Sequence, residues 1–276
     1  MVKCGQVVFI VPYFGPFPWY FWYFLDSCKY NLDFDFLIIT DNDEVREVSS
    51  NVKFIRLTLR QVRELGSAKL GIDLSLDHPY KLCDFKPAYG AIFSDYIIDY
   101  TFWGQSDVDV ILGNLQNFLT DEVLHSYDYI SVRHDYTSGC FSVFKNETTI
   151  NDLFKRSKDY QKVFTSNKNY CYDQCNYVMD YLTAGGNIFD IQTEVDSYTH
   201  IIRRAQISGE IKPHFDFILI EGLTGDIKFN KGELIYKNTY QAILYHLFHL
   251  KKLYHPRSAP IKIPESYRIS KTRIYK

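Results

Sequence analysis

Two aspartates one residue apart, Asp107 and Asp109, stand in the stretch FWGQSDVDVILGN (residues 102–114), between an aromatic segment and the apolar run Val110, Ile111, Leu112. An unpaired carboxylate is costly beside so much apolar surface. A cation would remove that cost. Alternate side chains of an extended segment point the same way, so the two carboxylates would face a common point. Hard divalent ions such as Mg²⁺ and Mn²⁺ are held through one or two carboxylates, with phosphate and water oxygens completing the shell. The chemistry suggested is the metal-assisted handling of a diphosphate. Two further Asp-x-Asp triplets, Asp33/Asp35 and Asp41/Asp43, show that the triplet alone selects nothing. Only the third lies at a predicted strand end, that of 100–106, which follows a helix and precedes another apolar run, and an exposed acidic turn is the other reading of it.

The elements that must position these carboxylates follow from hydrophobic patterning. Residues 6–13 (QVVFIVPY), 34–39 (FDFLII) and 52–57 (VKFIRL) are apolar runs that read as strands, the first two buried on both faces. Residues 19–31 read as a helix, and 84–99 as another, with Pro87 in its first turn. Beyond the motif, 128–133 and 140–144 read as strands around a turn holding Ser138 and Gly139. Helices are predicted over 147–164 and 171–183, short β runs from Phe215, and a last helix around 240–251. This alternation predicts an α/β protein with an open sheet, whose ligands bind at the carboxyl ends of the strands. No G-x-G-x-x-G follows the first strand and no G-x-x-x-x-G-K-[ST] occurs, which removes the main support for dinucleotide dehydrogenases and P-loop hydrolases.

At 276 residues and 46% hydrophobic content, the chain can bury a sizeable core. No apolar window approaches a membrane span, and the opening MVKCGQVVFIVPYFG lacks a small-residue cleavage site, so a cytoplasmic location with six reduced cysteines is expected. The net charge of -2 conceals eight Lys/Arg against Glu265 alone within 251–276. That basic stretch, with Tyr254, Tyr267, Ile269, Ile274 and Tyr275 interleaved, could rest on anionic lipid, bind polyanions, or pack back on an acidic domain. Overall acidity argues against nucleic acid as a partner.

A strand-end Asp-x-Asp after an N-terminal βαβ half resembles the metal motif of GT-A-fold glycosyltransferases. The stretches VPYFGPFPWYFWYFLDSCKYN, DFLIITD, HPYKLCDFKPAYGAIF and FWGQSDVDVILGN resemble glycosyltransferase-like proteins of bacterial capsule and surface-polysaccharide loci, over residues 6–145. The resemblance implies a GT-A-like, Rossmann-type mixed open sheet flanked by helices, in one domain over 1–250 with a C-terminal extension over 251–276. Within it, 1–114 would form the nucleotide-binding half and 115–250 the acceptor half. Pro12, Tyr13, Phe14, Thr40 and Asp41 match the segments that hold base and ribose. Lys81, Asp84 and Lys86 stand in for a Lys-x-x-Asp-x-x-Arg-like donor-contacting helix start, with Lys for Arg and the spacing one shorter. Asp84 is equally suited to capping that helix.

Gly139 resembles the small residue beneath the acceptor, or is simply a turn glycine. Asp173, in YCYDQCNY, resembles the Asp-Gln placed near the reacting carbon; it could also serve as the base of an inverting enzyme, or be a solvated helix residue. His246 and His249, three apart, would share a helix face as core residues. Alternatively His246 resembles a third metal ligand beside Asp107 and Asp109, with Lys251 or Lys252 on the diphosphate. Imidazole would favour Mn²⁺ over Mg²⁺.

The implied activity is a metal-dependent, hexosyltransferase-type transfer from a nucleoside diphosphate sugar, foremost a UDP-sugar. The acceptor would be a glycan or lipid-linked glycan in surface polysaccharide synthesis, with peripheral contact at the inner membrane face through the basic stretch. The rival readings are a nucleotide-sugar hydrolase or phosphodiesterase, and a non-catalytic nucleotide-sugar-binding protein.

Overall fold

The structure, a computed structural model, describes residues 6–44 and 48–276; residues 1–5, with Cys4 and the start of the predicted opening strand, and 45–47 lie outside the described residues. The apolar runs become the parallel strands β1 (Val7–Pro12), β2 (Phe34–Thr40) and β3 (Val52–Arg56), joined by β4 (Phe102–Ser106) on the other side of β1. Past the motif come β5 (Val110–Leu112), β6 (Tyr129–Ser131), β7 (Phe141–Lys145) and β8 (Pro213–Phe215). The central sheet runs β3-β2-β1-β4-β7-β6-β8, with β7 antiparallel to both neighbours. It is a mixed open α/β sheet flanked by helices, as expected.

Burial explains the apolar runs. Val7 to Val11 are all inaccessible, and alternation splits them between two cores. Val7, Phe9 and Val11 face the helix α1 (Phe21–Cys28), whereas Val8 and Ile10 join Leu37, Ile39 and Trp103 beneath the 82–97 and 148–207 segments.

Four expected helices differ. The 84–99 helix is broken into short turns, Leu82–Phe85, Lys86–Ala88 and Tyr89–Ile92 among them. Pro87 lacks the donor for a continuous ladder, and Gly90 presses so close to Trp103 that a Cβ there would lie 2.5 Å from its Nε1. The 147–164 helix is similarly divided into Thr148–Asn151, Leu153–Arg156 and Tyr160–Phe164. Within 171–183 only Met179–Thr183 is helical; Cys171, Asn176 and Tyr177 take left-handed conformations that no helix tolerates.

The helix expected around 240–251 is mostly strand. Here β9 (Leu219–Ile220), β10 (Ile227–Asn230), β11 (Glu233–Tyr236), β12 (Tyr240–Gln241) and β13 (Leu244–His246) precede a single turn at Leu250–Leu253. Strand β13 pairs antiparallel with β5 and parallel with β9, so its backbone groups are satisfied across the sheet. His246 therefore closes a strand while His249 precedes the Leu250–Leu253 turn, and the two share no helix face.

The basic C-terminal stretch folds back on the protein. Strands β14 (Ser266–Ile269) and β15 (Ile274–Tyr275) extend an antiparallel sheet ordered β12-β11-β10-β14-β15, burying Tyr267, Ile269 and Ile274. Arg268 and Tyr275 alternate outward. Among the described residues, no helix is long and apolar enough to cross a membrane.

Candidate functional site

A cleft of about 620 Å³ opens at the carboxyl ends of β1 and β4, where the sheet order leads ligands to be expected. Its carboxylates are placed by backbone pairing. Asp107 N–H donates to the Cys140 carbonyl at 2.9 Å, and Leu247 N–H to the Asp109 carbonyl at 2.8 Å. The β5–β13 ladder brings His246 opposite Val110. One ligand atom from each of Asp107, Asp109 and His246 lies within 4.8 Å of the others. Two carboxylate oxygens and an imidazole nitrogen form a donor set that fits Mn²⁺ and, with water added, Mg²⁺.

The surrounding charges are arranged around these three groups. Lys251 Nζ lies 2.6 Å from Asp109 Oδ2, and His246 Nε2 lies 3.6 Å from the same oxygen. Burial alone would raise the Asp109 pKa, but His246 and Lys251 outweigh it and hold the carboxyl far below the usual range. Burial disfavours the His246 imidazolium, yet Cys140, Asp109 and Glu221 keep its pKa well above an ordinary histidine's. Lys86 donates to Asp107 Oδ1 and to the Gly139 carbonyl, both at 2.5 Å. Burial opposes its charge, and the Asp107 carboxylate, with Cys83 and Asp173, holds its pKa well above the ordinary value.

Asp173 faces the cleft with 4% of its surface exposed, and neither carboxylate oxygen has a hydrogen-bond partner among the described residues. Among the described residues its close cation is Lys86, at 3.9 Å. Burial pushes its pKa up to about 7, with Asp84 and Asp107 adding and Lys86 opposing. Gly139 lies under it: a Cβ there would stand 2.7 Å from Asp173 Oδ2 and 2.5 Å from Gln174 Nε2. Asp173 thus belongs to a tight turn with its side chain buried, neither helical nor solvated.

The other expected residues divide between the cleft wall and the layers behind it. Pro12, Tyr13 and Phe14 line the cleft. Thr40 is buried at the end of β2, where its hydroxyl accepts from Asn42 N–H, and Asp41 accepts from Gly15 N–H at 2.9 Å, tying the loop after β2 to the loop after β1; neither lines the cleft. Lys81 and Asp84 lie below the floor, both with 0% side-chain exposure and 2.8 Å apart. Asp84 does not cap the helix start; its carboxylate accepts from Tyr170 and Tyr172 N–H, fixing the turn that carries Asp173. Lys252 lies over the Phe248 ring.

Sequence reasoning missed Glu221, Arg133, Cys140 and Tyr20, which all line the cleft. Glu221 Oε1 accepts from His246 Nδ1 at 3.0 Å, which leaves Nε2 turned to Asp109. Arg133 pairs with the other Glu221 oxygen and with Asp135. Glu221 ends the apolar run FILIE just before Gly222, and Arg133 ends DYISVR. A charge closing an apolar strand is the signal that marked Asp107, and it could have found both.

Among solved structures, galactosyltransferase LgtC in complex with donor and acceptor sugar analogs is similar over 78% of this chain and 75% of that chain, at 10% identity and a TM-score of 0.41. An active-site mutant of LgtC is similar over the same shares, at 11% identity and a TM-score of 0.38. No curated protein matches the sequence. The model of a family described as "Family of unknown function (DUF6625)" matches residues 9–276.

Proposed function

We propose that this chain, which belongs to the DUF6625 family, is a glycosyltransferase moving a sugar from a nucleoside diphosphate donor, foremost a UDP-sugar, to a hydroxyl acceptor. The observation that carries this reading is the convergence of Asp107, Asp109 and His246 at the strand ends of one cleft, with Lys86 and Lys251 beside them. Asp107, Asp109 and His246 would hold Mn²⁺ or Mg²⁺, which when bound neutralises charge developing on the diphosphate. Lys251 shifts from Asp109 to a phosphate oxygen, and Pro12, Tyr13 and Phe14 hold the base and ribose. Asp173 takes the proton of the acceptor hydroxyl as that oxygen bonds to the anomeric carbon and the diphosphate oxygen leaves it. A carboxyl of pKa about 7 with two open oxygens suits a base near neutral pH. Lys81 and Asp84 act by positioning the Asp173 turn.

The acceptor is a glycan or lipid-linked glycan of surface polysaccharide. The outward basic residues of β14 and β15 and the turn between them would rest on the inner membrane face, which cosedimentation with anionic vesicles tests.

Thermal unfolding with UDP, GDP or CDP, each with and without Mn²⁺, tests the donor. A ligand at about 100 times its dissociation constant adds about 2.7 kcal/mol. The expected result is stabilisation by UDP that requires Mn²⁺ and is lost in Asp109→Ala. No shift with any nucleotide overturns the reading, and release of sugar from a UDP-sugar without an acceptor would replace it with a hydrolase.

A further inference from the structure

The face of His246 turned away from Asp109 belongs to a second cluster. One ligand atom from each of Cys140, Glu221 and His246 lies within 4.8 Å of the others. Three separate segments supply them: Cys140 just before β7, Glu221 just after β9, and His246 at the end of β13. Their backbones are tied to the Asp-x-Asp segment, Cys140 through the Asp107 N–H and His246 through the β5 ladder. Cys140 is 5% exposed and lines the cleft. Its Sγ lies 3.4 Å from Ser138 Oγ.

We propose that Cys140, Glu221 and His246 form a binding site for a thiophilic divalent cation, Zn²⁺ foremost, which excludes His246 from the Asp107–Asp109 site. A thiolate, an imidazole and a carboxylate with one position open is a donor set that suits zinc, whereas the all-hard cations favour the carboxylate pair. The imidazole decides the competition. Its Nδ1 lies 3.0 Å from Glu221 Oε1 and its Nε2 lies 3.6 Å from Asp109 Oδ2, so each site would use a different nitrogen. When Nδ1 binds zinc, the ring's remaining proton sits on Nε2 and points at Asp109 as a donor, and Nε2 has no lone pair left for the other cation. Zinc binding thereby releases the Cys140 thiol proton to solvent, and the Nδ1 proton passes to Nε2 from the neutral ring or to solvent from the imidazolium.

Arg133 does not compete away the Glu221 charge. Its guanidinium holds the far Glu221 oxygen and is itself matched by both oxygens of Asp135, at 2.9 and 2.7 Å. The proposal does not rest on sugar transfer, and its test reads the metal directly.

Co²⁺ titrated into the full chain serves as the spectroscopic stand-in for zinc. A near-ultraviolet thiolate-to-cobalt charge-transfer band saturating at one equivalent is expected, displaced by stoichiometric Zn²⁺. Cys140→Ser should abolish the band; Cys83→Ser, Cys171→Ser and Asp109→Asn should keep it. Glu221→Gln, a milder change, should weaken Zn²⁺ binding at least tenfold, and it carries the test if Cys140→Ser does not fold. The absence of a band in the folded wild-type chain, or its survival in Cys140→Ser, would overturn the proposal. Nucleotide-dependent stabilisation with Mn²⁺ would be untouched by that outcome, so the two readings fail separately.

Discussion

The Lys81–Asp84 pair beneath the cleft allows a stability prediction worked from its geometry. Both side chains are wholly inaccessible, and every strong donor and acceptor is used. Lys81 Nζ gives one hydrogen bond to Asp84 and one each to the carbonyls of Val163 and Lys168, at 2.8 and 2.7 Å. Asp84 accepts in addition from Tyr170 N–H at 2.9 Å and Tyr172 N–H at 2.8 Å. Asp84→Ala would leave a buried ammonium without a counter-charge and orphan two backbone donors. Breaking a buried pair from one side costs about 3–5 kcal/mol. At roughly 2–4 °C per kcal/mol for a chain near this size, the unfolding midpoint should fall by about 6–20 °C. Lys81→Met should cost less, because Asp84 keeps its two backbone donors. The double variant should recover part of the loss, with a coupling of about 1 kcal/mol or more in a double-mutant cycle followed by urea unfolding. An Asp84→Ala loss below about 1 kcal/mol, or single effects that add to within about 0.5 kcal/mol, would refute the reasoning.

Other outcomes are expected at the cleft. With an unfolded Asp173 titrating near 3.8 and the folded carboxyl at about 7, folding takes up a proton between those values. That contribution to stability therefore falls as pH rises from about 4 to about 7, by on the order of 1.4 kcal/mol per pH unit, and then levels off. Unfolding midpoints at pH 5 and pH 8 should move together in Asp173→Asn but apart in the wild type. Gly139→Ala should push a methyl into Asp173 and Gln174, costing about 1–3 kcal/mol of stability by overpacking and lowering transfer, read by urea unfolding and by an acceptor assay. Lys251→Met frees Asp109 of its ammonium, so Mn²⁺ alone should bind no more weakly, while UDP with Mn²⁺ should bind about tenfold more weakly, or 1.4 kcal/mol, by titration calorimetry.

How much could be read in the sequence divides along a physical line. Strands β1 and β2 were legible because central strands buried on both faces leave continuous apolar runs, whereas β4 (FWGQS) was placed by the helical segment expected before it, and the position of Asp107 and Asp109 at a strand end followed from that order. The turn carrying Asp173 was not legible: its shape is imposed by Asp84, 86 and 88 residues away from the N–H groups it holds. Short apolar stretches fit both periods, which is why Leu244, Tyr245 and His246 read as helix until their partners in β5 are known. The roles expected for Lys81 and Asp84 came from a resemblance to a family motif, and a matched motif does not tell a cleft wall from the layer below it.

Asp109 meets Lys251 across 142 positions of chain, and the imidazole reaches the carboxylates only through the β13–β5 ladder. Closing so long a loop loses chain entropy before any contact repays it, so this juncture belongs among the late events of folding. On a ribosome the carboxylates emerge first and stand without His246 until 137 further residues beyond Asp109 are made. A partly denatured molecule would pass through the same condition in reverse, keeping its parallel strands while Asp107, Asp109 and His246 no longer meet. Under the proposed function, response to nucleotide and metal would therefore gauge native completeness more sensitively than any signal from the sheet.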